Sequence, residues 1–199
     1  LRYLISVIIF LSGLSAEVIL RDELSIHQEF HNSVEKMGAE LFQKSGISTH
    51  ILILKTTNGK HLNILGEEEL AKLLETEKSS LILTFAETEQ KVDIVASKEL
   101  LELFDKEQIL SPYPWTGTIL PILGETIKQD PRHKYSVALF NGYADIIEQI
   151  AKNKNIVLEN SVGDSNKYVL NIIRIIFYSI IIIALAYLLR KSFNKRKNI

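Results

Sequence analysis

Apolar residues recur at three- and four-residue spacing at Ile26, Phe30, Val34, Met37 and Leu41, which predicts a helix over residues 22–45 with Gly46 as its C-cap. The run Ile51-Leu52-Ile53-Leu54 is continuous and too short for a helix between breakers, so residues 50–56 predict a buried strand. Asn58-Gly59 predicts a turn, and Leu70, Leu73 and Leu74 give residues 66–77 the inner face of a second helix. Leu81, Leu83 and Phe85 alternate, as do Val92, Ile94 and Ala96, with the polar Glu87-Thr88-Glu89-Gln90 between them; this predicts a hairpin. Ser97 predicts the N-cap of a helix to about Asp105, and Thr116 or Thr118 the start of another to about Gln129. Asp130-Pro131 reads as an N-cap followed by proline at the first helical position. The helix it opens runs to about Lys152, with Val137, Phe140, Tyr143, Ala144, Ile147 and Ile150 on one side. The order α-β-α-β-β-α-α-α predicts an α/β fold, an α/β/α sandwich with a small central sheet.

The ends have a different pattern. Ile172 to Leu189 reads IIRIIFYSIIIIALAYLL, with Arg174 its one charge. With Val169 and Leu170 in front, residues 169–189 are long and apolar enough to predict a C-terminal transmembrane helix. Arg190, Lys191, Lys195, Arg196 and Lys197 follow without an acid, so the tail 190–199 is expected in the cytoplasm. At the other end, Arg2, an apolar run and the small pair Ser15-Ala16 predict that residues 1–16 are a signal peptide or an uncleaved apolar anchor. Either places the domain 17–152, and the polar linker 153–168 after it, outside the cytoplasm. The expected location is a bacterial inner membrane, crossed once, with the bulk of the chain periplasmic.

Charge sharpens that division. All 24 Asp and Glu fall within residues 17–170 with 16 of the 23 Lys and Arg, a balance of about −8 that the overall −1 hides. An acidic exported domain argues against nucleic acid as a partner. The chain has no Cys, so the domain stands on its packed core without disulfides.

Three stretches, SGISTHILILKTT, EKSSLILTFAETEQKVDIVASKELLELFD and ILPILGETIKQDPRHKYSVALFNGYADIIEQI, together resemble the TPM domain family of bacterial envelopes and the thylakoid lumen. They cover most of residues 22–152. The resemblance implies a signal peptide, an α/β/α sandwich and a C-terminal membrane helix. Some relatives are credited with acid phosphatase activity or calcium binding through acidic residues. Of the residues here, Asp22 is placed on a family-like position, in Ile19-Leu20-Arg21-Asp22 where members carry Val-x-Asp. Val95-Ala96-Ser97-Lys98-Glu99 lacks the glycine that members carry after the hairpin. No cofactor is predicted from the residues; Ca²⁺ or another divalent metal enters through the resemblance alone.

Candidate chemistry is sparse. His27 and His31 stand at i and i+4, a spacing that can bind zinc, with Glu23 and Glu35 on the same side. Their alternative reading is as boundary residues of the apolar stripe. Asp93 faces away from Val92 and Ile94, so with Asp22 it is a candidate catalytic acid, or else a solvated strand position. No Gly-rich phosphate loop, GxSxG or Cys nucleophile is present. Tyr113 and Trp115 lie in a proline-containing connector, as an interaction patch or as packing on the core. Two functions follow. One is a non-catalytic interaction or assembly factor for a membrane complex, with another envelope protein as partner. The other is a metal-dependent acid-phosphatase-type hydrolase.

Overall fold

The computed structural model describes residues 17–126 and 130–160. They form a mixed α/β fold around a four-stranded sheet in the order β1-β2-β3-β4. The strands are β1 (Ile19–Asp22), β2 (Ser48–Leu54), β3 (Ser80–Ala86) and β4 (Lys91–Ala96). The first three pair in parallel; β4 returns antiparallel to β3 through the expected hairpin, with Leu83 opposite Ile94 and Phe85 opposite Val92. Every residue of β2 and β3 is buried, as their near-continuous apolar runs require.

Alternation divides the core between the two faces of the sheet. Ile51, Ile53, Leu83, Phe85 and Ile94 pack on one side, against α1 (Gln28–Ser45) and α5 (Pro131–Asn153). Leu52, Leu54, Ile82 and Val95 pack on the other, against Leu62 and Leu70 of α2 (Leu62–Leu73). The connections β1-α1-β2 and β2-α2-β3 advance in the same direction across the sheet, yet their helices lie on opposite faces. Two such crossovers have opposite hands, so one of them is left-handed, against a strong general preference for right-handed ones.

Several elements differ from expectation for local physical reasons. The helix predicted over 22–45 begins at Gln28, and Ile19–Asp22 is a strand. Asp22 accepts the backbone N–H groups of Leu24 and Ile26, and Ser25 adopts a left-handed φ of 51°, so the chain cannot turn helical there. The helix expected from Gly66 begins at Leu62, directly after a turn in which Asn58 and Gly59 take positive φ. The helix expected from Ser97 to Asp105 is a single 3₁₀ turn, Lys98–Leu100, followed by α3 (Lys106–Ile109). Asp105, not Ser97, supplies the cap, accepting the N–H of Gln108 at 2.9 Å. The stretch from Thr118 forms one turn, α4 (Leu120–Leu123), before the described residues break at 126. The Asp130-Pro131 start of α5 is as expected: the Asp130 side chain accepts the N–H of Arg132 at 3.0 Å.

No helix among the described residues is long and apolar enough to cross a membrane. The expected span 169–189, the N-terminal segment 1–16 and the basic tail 190–199 lie outside the described residues.

Candidate functional site

The carboxyl ends of the parallel strands are where ligands bind in many open α/β sheets. Here that edge gathers Asp22, the β2–α2 loop and the β3–β4 hairpin. Asp22 ends β1 with its side chain nearly buried. Its Oδ1 accepts the N–H of Leu24 at 3.0 Å; its Oδ2 accepts the N–H of Ile26 at 2.8 Å and Nε2 of His31 at 2.9 Å. The carboxylate therefore closes the β1–α1 connection and ties it to the first turn of the helix.

Two further acids of this edge also bind the β2–α2 loop, Glu89 through Oε1 alone while its Oε2 is buried without a partner among the described residues. Glu23 accepts the N–H of Lys55 at 2.8 Å. Glu89, in the hairpin, accepts the hydroxyls of Thr56 and Thr57 and the N–H of Thr57, all at 2.8–3.1 Å. The Thr56 hydroxyl above all, and Thr57 after it, hold its carboxyl below the usual range. Burial raises the phenol of Tyr135, which packs on Phe85, and the nearby Glu87 carboxylate raises it further.

The predicted candidates do not converge. His31 is committed to Asp22, whereas His27 stands exposed at the start of α1 and makes no side-chain cap. Glu35 is exposed, and among the described residues no three His, Cys, Asp or Glu side chains are grouped to hold a metal ion. Asp93 lies on β4, a different strand from Asp22; it pairs with Lys106 of α3 at 2.6 Å and accepts the N–H of Ile94. Tyr113 and Trp115 stack on each other, centroids 5.2 Å apart, rather than on the core. Both are exposed.

Two polar clusters carry no sequence signature. At the opposite end of the sheet His50, 1 % exposed, faces the Glu17 carbonyl with Nδ1 at 2.6 Å and Glu77 Oε2 with Nε2 at 2.9 Å. Both partners present acceptor oxygens to the ring. The Ser80 hydroxyl also donates to Glu77. On α1, the buried Glu40 accepts Lys44 Nζ and three N–H groups of Glu159 and Asn160. The only hint of either cluster was a polar residue at a core position, which demands a partner but does not name it.

Asp22, Glu23, Glu40 and Glu89 thus act as acceptors that fasten loops and helices. No family model matches the chain, and no curated protein sequence matches it. Among solved structures it is similar to the NMR structure of the BA42 protein from the psychrophilic bacterium Bizionia argentinensis, with a TM-score of 0.50 and 11% identity. The similarity covers 72% of this chain and 97% of that one. At that identity the likeness concerns the fold alone.

Proposed function

We propose that this chain is a TPM-type domain, held outside the cytoplasm by a membrane anchor at residues 169–189, that serves as a non-catalytic interaction or assembly factor for a membrane complex. The observation that carries the reading is the engagement of Asp22. A catalytic or metal-binding carboxylate needs free lone pairs directed at a ligand. Both Asp22 oxygens are turned inward on Leu24, Ile26 and His31. Asp93, the other candidate acid, is neutralised by Lys106. The partner is another envelope protein, and the anchor keeps the domain close to it.

The test uses the full chain in phosphatidylcholine vesicles and in its own membrane. A phosphomonoester is offered with and without Ca²⁺ or Mg²⁺, and neighbouring proteins are crosslinked in the membrane. The expected result is no turnover and recovery of one defined membrane protein. Metal-dependent turnover that disappears in Asp22→Asn, which keeps one acceptor oxygen for the loop, would establish the hydrolase instead. Protease added outside spheroplasts is expected to cut the domain and spare the basic tail; the reverse pattern would invert the orientation.

A further inference from the structure

The connector between α3 and α4 departs from the rest of the domain in its chemistry. No charged residue occurs between Glu107 and Glu125, in a chain that is 24% charged. At the centre of this stretch Pro112, Tyr113, Pro114, Trp115 and Thr116 are all exposed. Trp115 is 78% exposed and Tyr113 56%, the largest exposures of any aromatic side chains among the described residues. Their rings stack at 5.2 Å and 17°, so the pair presents a single apolar plate.

The loop beneath the plate is built, and most of its backbone N–H groups are bonded within it. Thr116 N–H and Gly117 N–H donate to the Tyr113 carbonyl at 3.0 and 2.8 Å, and Ser111 N–H to the Gln108 carbonyl at 3.1 Å. Tyr113 N–H donates to the Ser111 hydroxyl, and the Thr116 carbonyl accepts Gln108 Nε2 at 2.6 Å. Pro112 and Pro114 have no N–H to satisfy. An uncharged loop with most of its N–H donors engaged enters the headgroup region at lower cost than a charged one, its remaining carbonyls staying hydrated there. Tryptophan and tyrosine favour the lipid headgroup region, where ring and polar tip are both accommodated.

We propose that the Tyr113–Trp115 loop seats in the outer lipid–water interface of the membrane that anchors the chain. The inference rests on the anchor proposed above. Only the residues between Asn160 and Val169 separate the domain from the anchoring segment, and fully extended they span about 30 Å. The anchoring membrane is thus held within about 30 Å of Asn160. The acidic balance of the domain favours zwitterionic over anionic headgroups, and the loop itself adds no charge to oppose either.

Trp115 is the single tryptophan of the chain, so its fluorescence reports on this loop alone. The full chain is reconstituted in phosphatidylcholine vesicles containing lipids brominated near the headgroup or near the chain end. The expected emission is blue-shifted, quenched more strongly by the shallow bromine than by the deep one, and shielded from iodide. Tyr113→Asp, which places a charge in the plate, is expected to return the emission to the red and to remove the bromine quenching. A chain that floats with the vesicles but shows solvent-like emission open to iodide overturns the loop contact and leaves the anchor standing. A chain that does not float overturns both. Quenching unchanged in Tyr113→Asp would mean that something other than this plate carries Trp115 into lipid, and would also overturn the proposal. Shielding from iodide without bromine quenching would assign the plate to a protein surface, against the proposal.

Discussion

Glu40 accepts the backbone N–H of Asn160 at 2.8 Å and the Asn160 side-chain amide at the same distance, across 120 positions of sequence. The N–H of Glu159 reaches the same carboxylate at 2.6 Å, and Lys44 Nζ bonds both Glu40 and the Val157 carbonyl. The residues that leave α5 toward the apolar segment are therefore strapped to α1.

Burial opposes the Glu40 charge, but the Lys44 ammonium and the amides of Glu159 and Asn160 outweigh it and lower the pKa from 4.5 to about 2. A carboxyl lowered by folding contributes stability that is present above its unfolded value and lost as pH falls through the folded one. The strap is expected to hold above pH 4.5 and to loosen as pH approaches 2. Hydrogen exchange at the Glu159 and Asn160 amides measures this, and Glu40→Ala should remove their protection at neutral pH with a loss of about 1–3 kcal/mol. Protection unchanged in that variant would show that the strap does not depend on Glu40.

Gly38 of α1 is the close-approach point between α1, α5 and the sheet. A Cβ there would overlap the Tyr143 hydroxyl and Val18 Cγ2. Tyr143 is fully buried and hydrogen-bonded to Thr49 Oγ1 at 2.8 Å; burial raises its phenol well above the ordinary value. Gly38→Ala is expected to destabilise by about 1–3 kcal/mol. In a Tyr143→Phe background the same change should cost less, because one overlap is gone. Denaturant titration of the double-mutant cycle checks this, and strict additivity would contradict the contact.

Asp22 should behave as a structural residue. Asp22→Ala strands the N–H groups of Leu24 and Ile26, at a cost of about 1–3 kcal/mol. Asp22→Asn and His31→Ala, each sparing part of the arrangement, should cost less. Thermal unfolding ranks the three; equal stability of wild type and Asp22→Ala would reopen a functional role for the carboxylate.

His50 should tolerate no apolar replacement. His50→Leu removes the side-chain partner of the Glu17 carbonyl and one of the two partners of Glu77 Oε2, which keeps the Ser80 hydroxyl. The expected loss is about 1–3 kcal/mol, and Glu77→Leu in the same chain should recover part of it by removing the carboxylate that has lost its imidazole partner. Chemical denaturation of the single and double variants decides, and no recovery would place the cost in packing instead.

The candidate site was less legible than the fold. His27 and His31 share a helical spacing, yet one is exposed and the other is held by a strand residue nine positions back. Spacing locates side chains on an element; it says nothing about which loop returns to meet them. Trp115 was visible as an aromatic between Pro114 and Thr116 in a proline-containing connector, but only the packed structure distinguishes stacking on Tyr113 from burial.

What the residues determine locally is what periodicity and breakers carry. β2, the β3–β4 hairpin and the start of α5 follow from apolar runs, alternation and Asp130-Pro131, because these signals act within a few residues. Tertiary structure alone decided the rest. The short strand Ile19–Asp22 exists because β2 offers a free parallel edge and Asp22 blocks helix formation behind it. Opposite-handed crossovers arise because α1 and α2 each bury an apolar stripe on a different face. The Glu40 strap forms because packing brings residues 120 positions apart within hydrogen-bond distance, a proximity that no local pattern encodes.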